Sequence, residues 1–226
     1  MAIFIPEQLT ALVVACGVSA AALPHLRFLA VGGASVVPAL LSRANQLGLP
    51  VFEGYGLSES ASVVALNNVA NHKIGSVGQL LPHLNIKLSD ETETLVKGAS
   101  YLGYTNTERE KTDENQQTWL ATGDIGYLDD DSYLFINARK KNIFIASYGR
   151  NVSPEWVERD LTSTPAIAQA CLFGEAKLWN TALIVSTADA TSVTINSAIG
   201  AINQSLPDYA RVSKWLLASE PFAVNN

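Results

Sequence analysis

Phe28-Leu29-Ala30-Val31-Gly32-Gly33, residues 38–48, and Leu49-Pro50-Val51-Phe52 together decide the fold of this chain. The first is a short apolar run halted by two glycines, which reads as a strand entering a turn. In residues 38–48, Pro38 fits the first turn of a helix. Leu40, Leu41, Ala44 and Leu47 share one helical face, and Gly48 marks the C-terminal stop. A second short apolar strand follows at once. Strand, helix and strand joined this tightly form a βαβ unit, which requires a parallel sheet and an α/β layer. Upstream, Pro6 opens another helix, with Leu9, Leu12, Val13 and Cys16 on one side.

Downstream the pattern changes. Short alternating segments at 85–89, 94–97, 126–128 and 133–137 are separated by turn-formers such as Asp129-Asp130-Asp131, which predicts an antiparallel or barrel-like β subdomain. Residues 105–117 are polar and read as an exposed loop or short helix. After Arg139-Lys140-Lys141 the pattern changes again. Residues 143–147 read as a strand and 148–151 as a turn. Ser153-Pro154-Glu155 reads as a helix start with Ser153 as cap, and Trp156, Val157 and Leu161 face a core. Strands at 167–173 and 181–186 and a helix at 192–204 complete a small α+β module. The expected division is therefore 1–138, with an α/β layer over roughly 1–75 and a β subdomain over roughly 76–138, and then 139–226.

The 226 residues are 48% apolar and 16% charged, a globular mix that can bury a sizeable core. A net charge of -6 leaves no basic surplus to meet phosphates, which argues against a nucleic-acid partner. Cys16 and Cys171 form neither a disulfide framework nor a metal knuckle, so a reducing, cytoplasmic setting is expected. Residues 8–24 carry no charge, but the only charge before them is Glu7, where a signal peptide would have a basic start. A spanning helix needs about 20 strongly apolar residues, whereas this run contains Thr10, Gly17, Ser19 and small alanines. A buried helix is expected there, not an integral membrane segment.

Four loops could carry chemistry. Gly32-Gly33-Ala34-Ser35 ends a strand of an open α/β sheet, where ligands sit, although neither GxGxxG nor a P-loop is present. A plain turn fits that stretch too. Glu53-Gly54-Tyr55-Gly56-Leu57-Ser58-Glu59-Ser60 offers an aromatic face, a hydroxyl for an anion and a carboxylate for Mg²⁺. A solvated turn with Tyr55 packed as core fits equally. In Thr122-Gly123-Asp124, the carboxylate can accept from vicinal hydroxyls such as those of a ribose, although isolated tripeptides of this kind are mostly turns. Arg139-Lys140-Lys141 with Gly149-Arg150-Asn151 is either a solvated basic face or a hinge at the composition break.

Taken together and in this order, these segments resemble the adenylate-forming superfamily of acyl-CoA synthetases, luciferases and peptide-synthetase adenylation domains. Leu29-Ala30-Val31-Gly32-Gly33-Ala34 resembles the family's GGA segment, and Gly54-Tyr55-Gly56-Leu57-Ser58-Glu59 resembles its YG-[LM]-[ST]-E motif. Trp119 through Thr122-Gly123-Asp124-Ile125-Gly126 resembles W-x-x-TGD. Arg139-Lys140-Lys141, Gly149-Arg150-Asn151-Val152-Ser153-Pro154 and Val157-Glu158 resemble the GRxK…GxN-[IV]-x-P-x-x-[IV]-E block, in the style of fatty acyl-CoA synthetases. Two positions depart from the pattern, Ala138 and Ser132, where the family has glycine.

The resemblance implies an enzyme that joins a carboxylic acid to ATP, forming an acyl-adenylate, and then to a thiol, usually coenzyme A or otherwise an acyl carrier protein. On matching positions, Tyr55 would stack on the adenine of ATP or AMP. Gly32, Gly33, Ala34, Glu53, Gly54, Gly56 and Leu57 would line the adenine and acyl pockets. Ser58 would hold the α-phosphate and Glu59 would bind Mg²⁺. Asp124 and Arg139 would grip the ribose, Lys141 would be the hinge, and Gly149 would line the thiol tunnel.

The family's phosphate loop and catalytic lysine have no counterpart in these 226 residues. Lys214 is no substitute, since it falls in a strand-like stretch. The expectation is thus the latter part of an acyl-CoA synthetase: a remnant of a parallel α/β layer, a β-barrel-like subdomain and a truncated α+β domain. By itself it should be inactive or nearly so. The competing expectation is a non-catalytic protein that keeps the fold for AMP binding or protein interaction. A peptide-synthetase domain is a third reading and would need a carrier domain downstream.

Overall fold

A computed structural model of the chain describes residues 1–19, 23–98 and 119–223. The segment 105–117 lies outside the described residues. By its internal contacts the chain forms two compact units, Met1–Ile136 and Asn137–Asn226.

In the first unit, β1 (Ala2–Phe4), β2 (Leu29–Val31) and β3 (Val51–Tyr55) run parallel in that order. Helix α1 (Pro6–Ser19) connects β1 to β2, and α2 (Pro38–Gln46) connects β2 to β3. Each helix begins at a proline, whose missing N–H is not needed in the first turn. Leu9, Val13 and Cys16 of α1 and Leu41 and Ala44 of α2 form one buried cluster with Leu29, Val31 and Val51. Both helices therefore cover the same face of the parallel strands. Strand alternation places Ile3, Ala30 and Phe52, paired across the register, on the opposite face. There Phe28 stacks on Phe52 at 4.7 Å, and His72 meets Phe52 edge-on. Among the described residues, no helix is long and apolar enough to cross a membrane.

The antiparallel strands are β4 (Ala65–Leu66), β5 (Gly78–Leu80), β6 (Asn85–Leu88), β7 (Glu93–Lys97), β8 (Leu120–Leu128) and β9 (Tyr133–Arg139). They do not stand apart from the parallel strands. All nine share one hydrogen-bonded sheet, in the order β1-β2-β3-β4-β5-β9-β8-β7-β6. Strand β3 makes the junction: Leu29 and Val31 of β2 pair with Val51 and Glu53 in parallel, while Gly54 and Tyr55 pair antiparallel with Leu66 and Ala65. Strand β8 begins earlier than its apolar pattern implies. It takes in Thr122-Gly123-Asp124, whose polar side chains disguise a strand.

The second unit carries a hairpin of β10 (Phe144–Ile145) and β11 (Asn151–Val152). A three-stranded sheet follows, made of β12 (Ile167–Phe173), β13 (Asn180–Ser186) and β14 (Val212–Leu217). Strand β13 is antiparallel to β12 and parallel to β14. Helices α3 (Pro154–Thr162) and α4 (Ser192–Ser205) pack Val157, Leu161, Ile195 and Ile199 into one core with Leu172, Ala182 and Ile184.

Ser153 does not cap α3 through its side chain. Its hydroxyl faces two acceptors instead, the Asn137 carbonyl at 3.2 Å and Glu155 Oε2 at 3.3 Å, and accepts no N–H of the first turn. In α4, by contrast, the Thr191 and Thr194 side chains and backbones cap one another reciprocally.

Candidate functional site

Gly32, Gly33 and Ala34 leave the C-terminal end of β2, with Gly33 at φ +81° and both Gly33 and Ala34 exposed. The neighbouring strand ends in Glu53, Gly54 and Tyr55. These two strand ends touch: a Cβ on Gly32 would lie 2.6 Å from the Gly54 carbonyl oxygen. Glu53 is buried at 7% exposure. Its carbonyl accepts both the backbone N–H of Asn67 and that residue's Nδ2, each at 3.0 Å.

After Tyr55 the chain folds sharply. Ser58–Ser60 form a single 3-10 turn, and both Ser60 N–H and Ser62 N–H donate to the Leu57 carbonyl at 3.0 Å. Ala61 and Ser62 adopt φ of 56° and 77°, a left-handed conformation that costs a non-glycine residue about 1–2 kcal/mol. The reversal presses Ser62 onto Gly56, where an added Cβ would come within 1.7 Å of the Ser62 carbonyl oxygen. Only glycine fits there. The turn leaves Ser58 exposed and Glu59 half-buried at the strand end.

The Tyr55 ring is half-buried against two small cores, one of Val64, Leu84 and Val96, the other of Ala65, Val77 and Leu134. Its hydroxyl donates to Asp124 Oδ2 at 2.5 Å, joining β3 to β8 across 69 residues of chain. Asp124 is 5% exposed. Its segment is a bulge in β8: Glu93 pairs with Ile125 and Leu95 with Ala121, so Thr94 alone stands opposite Thr122, Gly123 and Asp124. Thr122 Oγ1 donates to the Thr94 carbonyl at 2.8 Å and accepts the Asp124 N–H at 3.1 Å. Gly123, at φ +73°, donates its N–H to Glu93 Oε1 at 3.0 Å.

Arg139, Lys141 and Gly149 belong to the second unit. Arg139 ends β9, Lys141 sits in the 3-10 turn Lys140–Asn142, and both are exposed. Gly149, exposed at φ +76°, lies in the turn between β10 and β11, where its N–H meets the Ala146 carbonyl at 2.9 Å. A Cβ there would find nothing within 4 Å. Lys214 lies on β14 with its ammonium 4.1 Å from the Trp179 ring centre.

Several supporting groups carry no motif and escape a reading of the sequence. Asn67, wholly buried, ties the Glu53 and Ser76 carbonyls together. Lys73 bridges Asp129 at 2.6 Å and Asp131 at 2.8 Å. Those hydrogen bonds raise the Lys73 pKa, and the bond from Lys73 lowers that of Asp129. In the second unit, Glu158 accepts the Leu172 N–H at 2.7 Å. Burial nevertheless raises the Glu158 pKa, and the Cys171 thiol is pushed up by burial and by Glu158.

The glycine-lined strand ends and the tethered Tyr55–Asp124 pair fit a flat, hydroxyl-bearing ligand. Among the described residues, no group of three or more His, Cys, Asp or Glu could hold a metal ion. Glu59 offers one carboxylate, which suits Mg²⁺ in company with phosphate oxygens.

Residues 2–103 match the AMP-binding enzyme family, and residues 141–223 match the AMP-binding enzyme C-terminal domain. The chain is 38% identical over 154 residues to a long-chain-fatty-acid–CoA ligase of Mycobacterium bovis, covering 68% of this chain and 26% of that one. It is 34% identical over 167 residues to the 2-succinylbenzoate–CoA ligase of Bacillus subtilis, covering 68% and 34%. The structure superposes on the O-succinylbenzoate coenzyme A synthetase of Bacillus subtilis in complex with AMP with a TM-score of 0.78. The two are 25% identical over 96% of this chain and 47% of that one. That synthetase has also been solved with ATP and a magnesium ion. The chain thus spans about a third or less of the two curated relatives' length. With both of its segments matched to one family and its fold matched to that family's solved structures, the chain belongs to the adenylate-forming, AMP-binding enzymes.

Proposed function

We propose that this chain carries the adenylate-binding strand ends and the mobile-domain portion of an ATP-dependent carboxylate–CoA ligase, with a fatty acyl preference. The observation that supports it best is the hydrogen bond from Tyr55 to Asp124, which unites the tyrosine loop and the acidic bulge in one place. The Tyr55 ring presents a face to adenine. A carboxylate has about four lone-pair sites, enough for Tyr55 and a pair of ribose hydroxyls together. Arg139 would add its guanidinium to the ribose, and Ser58 would donate to the α-phosphate. Backbone of Gly32, Gly33, Ala34, Glu53, Gly54, Gly56 and Leu57 would line the adenine and acyl pockets. Glu59 would hold Mg²⁺, which when bound neutralises charge on the phosphate oxygens. Lys141 would serve as the hinge between half-reactions, and Gly149 would line the thiol path for coenzyme A or an acyl carrier protein. The fatty acyl preference rests on the Asn151-Val152-Ser153-Pro154 block and on the fatty-acid–CoA ligase relative. We place the protein in the cytoplasm, where ATP, coenzyme A and reducing conditions coincide.

Calorimetry with AMP tests the reading. Micromolar binding that Asp124→Asn weakens at least tenfold supports it, and no binding by the folded chain sinks it. We expect pyrophosphate release from an acid panel with ATP and Mg²⁺ to be slow. The family's catalytic lysine has no counterpart among these motifs, and loss of one such charge costs on the order of 10²–10³ in rate. Turnover matching that of complete ligases would overturn this second point.

A further inference from the structure

Asp124 does not hold its own position. It sits on a bulge where Thr94 alone opposes Thr122, Gly123 and Asp124, and such a distortion re-aims side chains only if it is fastened. Thr122 fastens it to the backbone of Thr94. A further fastener is a buried carboxyl: Glu93, 8% exposed, accepts the N–H of Gly123 at 3.0 Å, next to Asp124 in the chain. Gly123, at φ +73°, occupies a conformation that other residues rarely adopt, so its peptide is oriented by this bond and not by the regular ladder.

Glu93 is itself held inward. Its N–H donates to Ser89 Oγ at 3.0 Å. The preceding Thr92 adopts φ +61°, unusual for a β-branched residue, while its carbonyl accepts the Gly126 N–H at 3.1 Å. Strained backbone on one strand and a bulge on the next thus meet where the Glu93 carboxyl accepts the Gly123 amide, beside the Thr92–Gly126 and Thr122–Thr94 bonds. The family motifs quoted above assign Glu93 nothing.

We propose that Glu93 is a positioning residue for the nucleoside diol: by anchoring Gly123 N–H it fixes the bulge and hence the direction in which Asp124 meets the sugar. The assignment rests on the reading of Asp124 as the ribose acceptor.

The test compares AMP with 2′,3′-dideoxy-AMP on the 226-residue chain by calorimetry. The wild type should prefer AMP by about tenfold or more, since a buried carboxylate left without its diol loses charge-assisted bonds. Asp124→Asn should cut that preference severalfold. Glu93→Met keeps the volume and removes the acceptor, so it should cut the preference to within about twofold while leaving dideoxy-AMP affinity unchanged. Glu93→Gln keeps an acceptor and should retain part of the preference, reduced by about threefold, with faster hydrogen exchange at the Gly123 amide.

A preference unchanged in Glu93→Met, or affinity for both nucleotides falling together, makes Glu93 merely structural and overturns the proposal. Should Glu93→Met fail to fold, Glu93→Gln decides: faster Gly123 exchange with an unchanged preference overturns it as well. A folded wild type that binds both nucleotides equally defeats the ribose reading of Asp124 first, and this assignment with it. A wild type that discriminates, beside a Glu93→Met that discriminates equally, defeats this assignment alone.

Discussion

Tyr55 and Asp124, 69 residues apart in the chain, are joined by a 2.5 Å hydrogen bond from the phenol to a carboxylate that is itself buried. A buried carboxylate that loses a donor bears an unmet desolvation penalty of roughly 1–3 kcal/mol or more. Tyr55→Phe keeps the ring in both small cores and removes only the donor. Denaturant unfolding should show a loss of about 1–3 kcal/mol, and AMP affinity should fall with it. An unchanged midpoint would show that the bond contributes nothing to stability.

Gly56→Ala places a methyl group 1.7 Å from the Ser62 carbonyl oxygen, backbone against backbone. Neither side can yield by rotating a side chain. The loop must open, and we expect a loss of more than about 3 kcal/mol or no soluble protein. Gly200→Ala serves as the control, because a Cβ there meets nothing within 4 Å and Gly200 lies inside α4. That substitution should stabilise by about 0.5–1 kcal/mol.

Ser132 adopts φ +62° in the turn between β8 and β9. Ser132→Gly relieves a left-handed penalty of about 1–2 kcal/mol and adds unfolded-state entropy worth about half of that. A net gain of about 0.5–1 kcal/mol is expected in thermal unfolding. A loss would mean that the serine side chain contributes a contact of its own.

The raised pKa of Glu158 makes stability depend on pH. Between the ordinary carboxylate value of 4.5 and its higher folded value, the folded state binds more protons than the unfolded one. Its contribution to stability therefore falls as pH rises through that window and grows as pH drops toward 4.5. Glu158→Gln keeps an acceptor for the Leu172 N–H and removes the buried charge. It should flatten this part of the profile and raise the melting temperature at pH 7. A profile identical to that of the wild type would remove Glu158 as the source.

The parallel part of the fold is plainly written in the sequence, because Pro38 and the spacing of Leu41 and Ala44 leave little else for that segment to be. The β-rich part is less so. Thr122, Gly123 and Asp124 belong to β8, yet their composition is that of a turn, since a bulge relaxes the alternation that marks a strand. For the site, motif order points to Tyr55 and Asp124 as candidates, and the fold brings them within bonding distance. Glu93, Asn67 and Lys73 leave no such trace. Each acts through backbone groups or a distant turn, and a lone polar residue in a β-rich stretch does not reveal whether it points inward. Ser153 shows the opposite failure: its local pattern reads as a cap, but its hydroxyl faces the Asn137 carbonyl and Glu155 Oε2 and accepts no N–H of the first turn.

Strand β3 changes partners partway along, parallel to β2 up to Glu53 and antiparallel to β4 from Gly54. Slippage by one residue would therefore break two ladders of opposite sense at once. The phenol at its end is a fixed benchmark, immune to the small register drifts by which isolated hairpins diverge. The strand is thus a datum from which displacements of the turns at its end can be measured.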